Sequence, residues 1–539
     1  MAQPLVNGHV RPRVVIVGGG FAGVTVAQQL DKILPRNTAD IHIISSDNFL
    51  LFQPMLPEVA GGGLEPQHIL NPLRQLCPRA TVSVGRVDQV DFEQKTVEFV
   101  HDPHDTRSKV TYDYLVLAVG AATNFSELSG MAQHALGFKT VGDALYLRNH
   151  IIHVLEEADE ESDPVVRKEL LTFVVVGGGF SGVETVAEIN DLIRDAVRHY
   201  SRIERTDVHV MLIHGTPRLL PELGEGLALA ATRRLQSQGV DVRLNSVLQA
   251  CTEREAVLKG DEIIPARTLV CTVGAAPNRL LSGLDCGKDE RGRLKVDEYL
   301  ELDGQPGVWA LGDCTAVPNQ ATGTLAPPTA QYALREAKTV AQNIAHALRG
   351  RGEKKPFAFG GLGQFVAVGH QYAVADIMGL KISGFVGWFM WRSVYLFKLP
   401  GFARKVRVAI DWTLDILFGR DIVEVQLARA ERLGHVHYEP GDVIAHQGQA
   451  ADLFYVVVDG EVEIVREHVE GGETLVARLG PGEHFGEMAL LHNSMSRSAT
   501  VRAATACNLL TLGRDDFTLL TKKWTGLRET VQEAMRARE

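Results

Sequence analysis

Arg13-Val-Val-Ile-Val17-Gly18-Gly-Gly20-Phe-Ala-Gly23 is a β-branched run that passes without a break into a three-glycine loop, and the apolar stretch Val24–Leu30 continues it at helical spacing. The order strand, glycine loop, helix gives the pattern physical content. The first glycine makes the tight turn, the second lets a pyrophosphate approach the backbone, and the third lets helix pack close to strand. The helix N-terminus adds partial positive charge. The same order returns at Phe173–Val176, Gly177-Gly-Gly179-Phe-Ser-Gly182 and the helix after it. One such loop is compatible with a tight turn in any α/β domain; two in matching contexts predict an α/β chain with two Rossmann-like dinucleotide-binding domains.

Segments further along the chain assign the two loops. Val308-Trp-Ala-Leu-Gly312-Asp313 is an apolar strand ending in Gly-Asp, with a helix expected from about Pro328. In flavoproteins with two dinucleotide sites, such a strand returns to the first domain and its aspartate bonds the flavin ribityl chain. Tyr114–Gly120 and Leu269–Gly274 have the look of crossover strands closing each domain. The second domain is therefore expected to be inserted in the first: residues 11–145 and 300–350 for FAD, 146–299 for NADH or NADPH. The acid expected about 20 positions beyond each fingerprint is absent. Ser45 and His214 stand there instead. Ser45 can bond a ribose hydroxyl. Without a carboxylate at His214, and with Arg218 nearby, a 2′-phosphate becomes tolerable; the alternative is a loop histidine touching neither nucleotide.

Together these residues resemble the single-chain type II NADH:quinone oxidoreductases over residues 11 to 420. The resemblance rests on Asn48-Phe-Leu-Leu-Phe52-Gln53-Pro54-Met-Leu-Pro-Glu58-Val, Ala118-Val-Gly120-Ala-Ala-Thr123-Asn124-Phe125, Gly182-Val-Glu184 and Pro327-Pro-Thr-Ala330-Gln331. It implies that Gly18, Gly20, Gly23, Ser45, Val87, Ala118, Gly120, Asp313 and Ala330 hold FAD. Gly177, Gly179, Gly182, His214 and Gly274 would face the nicotinamide nucleotide. Gln331 would border the quinone end of the flavin, and Glu184 or Glu336 would relay protons. A plain alternative for Glu184 is a carboxylate complementing a helix N-terminus. Many family members carry glutamine where this chain has Glu336, preceded by Arg335.

Residues 380–418 hold Trp388, Trp391, Trp412 and several Phe, in a chain only 6% aromatic. The longest uncharged apolar run, Ile382–Trp391, is 10 residues, well short of the roughly 20 needed to span a bilayer. From Lys381 to Arg407 there are six Lys or Arg and no Asp or Glu. Aromatic bulk with cationic charge predicts an amphipathic membrane-association segment within 351–420. A buried helix or a homodimer interface is the alternative.

After a connector at 421–432, residues 433–539 change to short β runs broken by glycine, which predicts an eight-stranded roll with flanking helices. Phe485-Gly486-Glu487-Met-Ala489-Leu and Ser496-Arg497-Ser498-Ala-Thr500 resemble the phosphate cassette of cyclic-nucleotide-binding domains. Arg497 and Ser498 would take the cyclic phosphate of cAMP or cGMP, Glu487 the ribose hydroxyl, and Gly486 and Ala489 would offer backbone donors. The residues beyond the roll are too few for a winged helix-turn-helix.

The balance of 539 residues, with formal net charge −11, argues against nucleic-acid binding. The six cysteines show no Cys-x-x-Cys spacing, which points to reduced thiols and away from a zinc site or redox disulfide. The opening MAQPLVNGHVRPR lacks an apolar core, so no secretory signal is expected. The resulting expectation is an NAD(P)H:quinone oxidoreductase, cytoplasmic and peripheral on the inner membrane, under cyclic-nucleotide control. Its rivals are a soluble reductase of another acceptor and a flavin-bearing sensor with little turnover.

Overall fold

A computed structural model describes residues 5–6, 9–101, 106–123, 130–273, 275–350, 352–425, 434–448, 453–468, 472–487, 497–513 and 517. The chain divides into two compact units, Met1–Glu424 and Val425–Glu539.

In the first unit Arg13–Val17 is the middle strand of a five-stranded sheet ordered Val308–Ala310, Tyr114–Leu117, Arg13–Val17, Asp40–Ser45, Thr81–Val84. All four pairings are parallel. Val14 to Val17 are buried, as a parallel strand covered on both faces must be. The helices Phe21–Ile33 and Ala330–Arg349 pack on each other. The second helix starts at Ala330, two residues past the expected Pro328, with Thr329 as its N-cap.

Thr172–Val176 occupies the same place in a second parallel sheet, ordered Leu136–Gly137, Thr268–Cys271, Thr172–Val176, His209–Ile213, Val240–Arg243. In each sheet the chain builds outward from its glycine strand, then crosses to that strand's other side through a three-stranded antiparallel meander. The point of reversal leaves a crevice at the strands' carboxyl ends, where open α/β sheets bind ligands. Gly18 and Ala118 flank the first crevice, Gly177 and Thr272 the second.

A third antiparallel sheet, Gln364–Ala367, Ala373–Ile377 and Leu380–Gly384, leads into the helices Phe385–Lys398 and Phe402–Phe418. The aromatic segment is thus two helices rather than one. Pro400 breaks them, and Gly401, at φ 79°, turns the chain where a side chain would be strained. Among the described residues no helix is long and apolar enough to cross a membrane. Two of the three tryptophans, Trp391 and Trp412, and the side chain of Arg392 face the protein interior. Much of the segment's aromatic bulk is therefore core packing, and the large exposed apolar residues of the two helices are five phenylalanines together with Val386, Val406, Ile410, Leu414, Ile416 and Leu417. Asp421 and Glu424, inside the expected connector, lie near Arg148 and His153 of the first unit.

The second unit has eight described strands in two four-stranded antiparallel sheets. Tyr438, Tyr455, Val462, Leu479, Phe485 and Leu509 fill the space between them. The helices expected beside this roll lie outside the described residues.

Candidate functional site

A cavity of about 2000 Å³ runs through the first unit from the first glycine loop to the aromatic helices. Gly18, Gly20, Ser45, Val87, Ala118, Gly120, Asp313, Ala330, Gln331 and Glu184 all line it. Ten residues expected at the site from sequence are therefore brought to one space. The glycines suit a dinucleotide for separate reasons. Gly18 has φ 114°, and a Cβ there would meet Ala118 O at 2.2 Å. A Cβ at Gly20 would meet nothing within 4 Å, so the space above it is open to a phosphate. Gly23 lies behind the wall, where a Cβ would fall 2.0 Å from Gly18 O. The second loop repeats this: open space at Gly179, and 1.7 Å to Gly177 O at Gly182. The residues fit FAD in the first cradle and a nicotinamide nucleotide in the second. Asn124, Phe125 and Gly274 lie outside the described residues.

His214 is held under the second loop. The Gly178 N–H donates to its Nδ1 at 3.0 Å, while Nε2 faces Thr216 Oγ1 at 2.7 Å. Burial lowers its pKa, and an imidazole here, unlike a carboxylate, brings no negative charge to the end of the second strand. Glu336 is turned away from the cavity. It accepts from the Gly312 N–H at 2.8 Å, and burial pushes its carboxyl up to about 7. Its geometry fixes the Gly312-Asp313 turn. Gln331 spans to the facing loop, with Nε2 donating to Gly363 O and Oε1 accepting from Leu362 N, both at 3.4 Å.

Sequence reasoning named Glu184 but did not name Lys139, Glu58, Arg392 or Arg420 as site residues. Lys139 lines the cavity, donates to Ala121 O, and offsets the burial that raises the Asp313 pKa. Glu184 is buried and accepts from the Ala367 N–H at 3.1 Å; removal from water raises its pKa to about 8. Behind it lies Glu58, whose carboxylate accepts from Trp412 Nε1 at 3.0 and 3.2 Å and sits 3.6 Å from Arg392. Arg420 binds Glu188 at 2.7 Å and the Gly61 carbonyl at 2.8 Å. No local signal pairs these residues, since Glu58 and Trp412 are 354 positions apart.

In the second unit Arg497 is buried, donating to Leu453 O at 2.8 Å and to Gly486 O at 3.4 Å, with its guanidinium 5.4 Å from the Tyr455 ring. Gly486 has φ 93°, and a Cβ there would meet Arg497 Nη1 at 2.5 Å. Glu487 is buried and Ser498 exposed. Ala489 lies outside the described residues.

Three family models match the chain: pyridine nucleotide-disulphide oxidoreductase over residues 12–337, NDH2 C-terminal domain over 362–421, and cyclic nucleotide-binding domain over 435–523. A type II NADH:quinone oxidoreductase, Ndh, of Mycobacterium tuberculosis is 33% identical, over 78% of this chain and 91% of its own length. The mitochondrial internal alternative NAD(P)H-ubiquinone oxidoreductase A1 of Arabidopsis thaliana is 28% identical, over 77% of this chain and 86% of its own. In fold, the chain is similar to NDH2 from Plasmodium falciparum in complex with NADH, at TM-score 0.71 and 20% identity, over 77% of this chain and all of the other.

Proposed function

The chain belongs to the type II NADH:quinone oxidoreductases, and from that premise we propose an FAD-dependent, membrane-peripheral NAD(P)H:quinone oxidoreductase with a cyclic-nucleotide-sensing tail. The single observation behind the proposal is the continuous cavity that joins the first glycine cradle, Glu184 and the exposed aromatic helices. FAD, when bound, supplies the hydride acceptor and the route to quinone.

The chain's own residues do the rest. Gly18, Gly20 and the N-terminus of Phe21–Ile33 bind the pyrophosphate with backbone donors and partial charge. Ser45 bonds the adenosine ribose, Asp313 the ribityl chain, and Val87, Ala118 and Gly120 flank the cofactor. Ala330 and Gln331 line the cavity at the N-terminus of a second helix, whose partial positive charge would favour negative charge on a bound flavin. The Gly177–Gly182 cradle would orient the nicotinamide nucleotide, with His214 under the loop on the side of the ribose. The nicotinamide domain is inserted in the flavin domain, and Phe180, Ser181 and Glu184, at the start of the helix after its glycine loop, reach the cavity that holds the first cradle. Glu184 lines the cavity and would hold a proton there for the reaction.

Phe397, Phe402 and Phe418 are each more than four-fifths exposed on the two C-terminal helices, with Lys398, Arg404, Lys405 and Arg407 alongside. A continuous apolar face rimmed with positive charge suits an anionic bilayer on the cytoplasmic side of the inner membrane, which stores a lipophilic quinone. In the tail, Arg497, Ser498 and Glu487 suit the phosphate and ribose of cAMP or cGMP.

Anaerobic titration with NADH and with NADPH, followed by addition of a short-chain quinone, tests the proposal. The expected result is flavin bleaching by the nucleotide and recovery with quinone. Protein that binds no FAD, or reduced flavin that quinone leaves unchanged, overturns it.

A further inference from the structure

Five carboxyl groups, Glu58, Glu184, Glu188, Asp191 and Asp415, gather where the helices Leu56–Ala60, Phe180–Ala196, Phe385–Lys398 and Phe402–Phe418 meet. Three guanidiniums face them. Arg420 pairs with Glu188 at 2.7 Å, Asp415 at 3.7 Å and Asp191 at 3.9 Å. Arg194 pairs with Asp191 at 2.8 Å. Arg392 lies between Glu58 at 3.6 Å and Asp415 at 3.9 Å. Fully ionised, the cluster would hold two unbalanced negative charges out of water, at a large cost in free energy. Two protons remove that excess.

Geometry says which groups hold them. Glu188 and Asp191 are taken by Arg420 and Arg194. Glu58 has only Arg392 nearby, shared with Asp415, and Glu184 has no guanidinium among its described neighbours. Both are pushed toward the neutral acid, chiefly by burial; the charge of Glu58 adds to the push on Glu184, and those of Glu188 and Asp415 to the push on Glu58. An aromatic wall joins them. Trp412 donates to Glu58, its ring is 6.3 Å from Trp391, and Trp391 faces Glu184. Glu184 lines the cavity, as do Leu56 and Pro57 in the turn that carries Glu58. Asp415, with a side chain 19% exposed, is the most open carboxyl of those around Arg392. Other charged or titratable neighbours are Asp195, which acts on Asp415 and is paired with Arg198 at 3.6 Å; Arg148, beside Asp421; Tyr395, next to Glu184; and His68, bonded to Asp411.

We propose that Glu58 is a positioning residue that reloads Glu184 with a proton during quinone reduction, drawing on solvent at the Asp415 side rather than on the mouth of the cavity. The inference rests on the reading of the chain as a quinone reductase. A hydride carries two electrons and one proton, while a quinone reduced to quinol takes up two protons, so one proton per turnover must come from water. Glu184 gives its O–H proton toward the acceptor and becomes a carboxylate. Glu58 then gives up its proton, Glu184 regains one, and Glu58 is reprotonated from the Asp415 side.

The test uses the full-length holoprotein and Glu58→Gln, which keeps an oxygen to accept from Trp412 and nearly the same volume. NADH-driven flavin bleaching and quinone-driven recovery are followed separately by stopped flow from pH 6 to 9. The expected defect is confined to recovery. Its alkaline limb moves to lower pH by about one unit, because Glu58, ionised in that range, no longer helps Glu184 keep its proton, so recovery at pH 8.5 falls about tenfold. Glu58→Asp, which restores a carboxyl, returns the limb toward its original position. In reduced-minus-oxidised infrared spectra, Glu58→Gln loses a protonated-carboxyl band that the unsubstituted protein shows. A recovery profile superimposable on the unsubstituted one overturns the proposal, and so does an equal loss in both half-reactions at every pH, the mark of a packing role. Unsubstituted protein whose reduced flavin never responds to quinone removes the parent reading and this inference with it.

Discussion

A methyl group added at Gly20 and one added at Gly23 meet opposite surroundings, and the difference separates binding from folding. At Gly20 the backbone already has φ −79° and the added carbon touches nothing, so Gly20→Ala should fold with an unchanged melting temperature. It fills the space a pyrophosphate needs, so FAD affinity should fall roughly tenfold or more, about 1.4 kcal/mol. At Gly23 the carbon lands 2.0 Å from Gly18 O, and helix and strand must separate. Gly23→Ala should lower thermal stability even without FAD. Calorimetry with and without FAD checks both; equal behaviour of the two variants would refute the assignment. Glu184 gives a pH prediction of definite sign. Its folded pKa, about 8, lies above the ordinary 4.5, so the stability it contributes is full below about 4.5 and is lost as pH rises toward 8. Glu184→Gln carries no charge to lose. Its stability relative to the unsubstituted protein should therefore rise by at least roughly 1.4 kcal/mol between pH 5 and pH 9, one unit's worth. A pH-independent difference would contradict the buried, neutral acid. The glycine roles were legible in the sequence because strand, turn and helix are contiguous and the backbone geometry is local. Glu58 was visible only as a letter in a motif, since its function lies in partners that arrive more than 300 positions later.

The two C-terminal helices divide their aromatic residues between two environments. Trp391, Trp412 and the Arg392 guanidinium point inward, where Arg392 lies 4.6 Å from the Trp412 ring centroid and 4.3 Å from that of Trp388. Phe397, Phe402, Leu417 and Phe418 point outward. The composition of the segment announced an aromatic, cationic patch but not this division, because the acids that draw Arg392 and Trp412 inward belong to remote helices. The division makes the two faces separable by mutation. Phe402→Ser with Phe418→Ser removes apolar area from the outer face only and should leave the melting temperature within a degree or two. Affinity for anionic vesicles in flotation should drop roughly a hundredfold or more, given about 1.5–3 kcal/mol for each large side chain withdrawn from an apolar phase. Arg420→Ala acts on the inner face. It strands Glu188, Asp191 and Asp415 without their shared cation and should cost about 3–5 kcal/mol in chemical denaturation. Vesicle binding unaffected by the phenylalanine pair would refute the outer face as the membrane contact.

At the scale of the whole molecule, two units with separate hydrophobic cores share one chain, so each should have its own unfolding transition and respond to its own ligand. FAD should raise the transition of Met1–Glu424, and cAMP that of Val425–Glu539, by about 2.7 kcal/mol at one hundred times its dissociation constant. Arg497→Ala removes the cation that would meet the cyclic phosphate and should abolish the second response. Regulation asks for more than binding, because an effector shifts an equilibrium only as far as its affinity differs between the two states. Coupling is also reciprocal. If cAMP changes vesicle affinity by some factor, saturating vesicles must change cAMP affinity by the same factor. Titrating a fluorescent cAMP analogue with and without anionic vesicles measures that factor directly, and flotation with and without cAMP measures it from the other side. The expected result is two equal factors of about 5 or more. A cAMP affinity indifferent to vesicles, together with quinone reduction indifferent to cAMP, would leave the tail a binding module with no hold on the oxidoreductase.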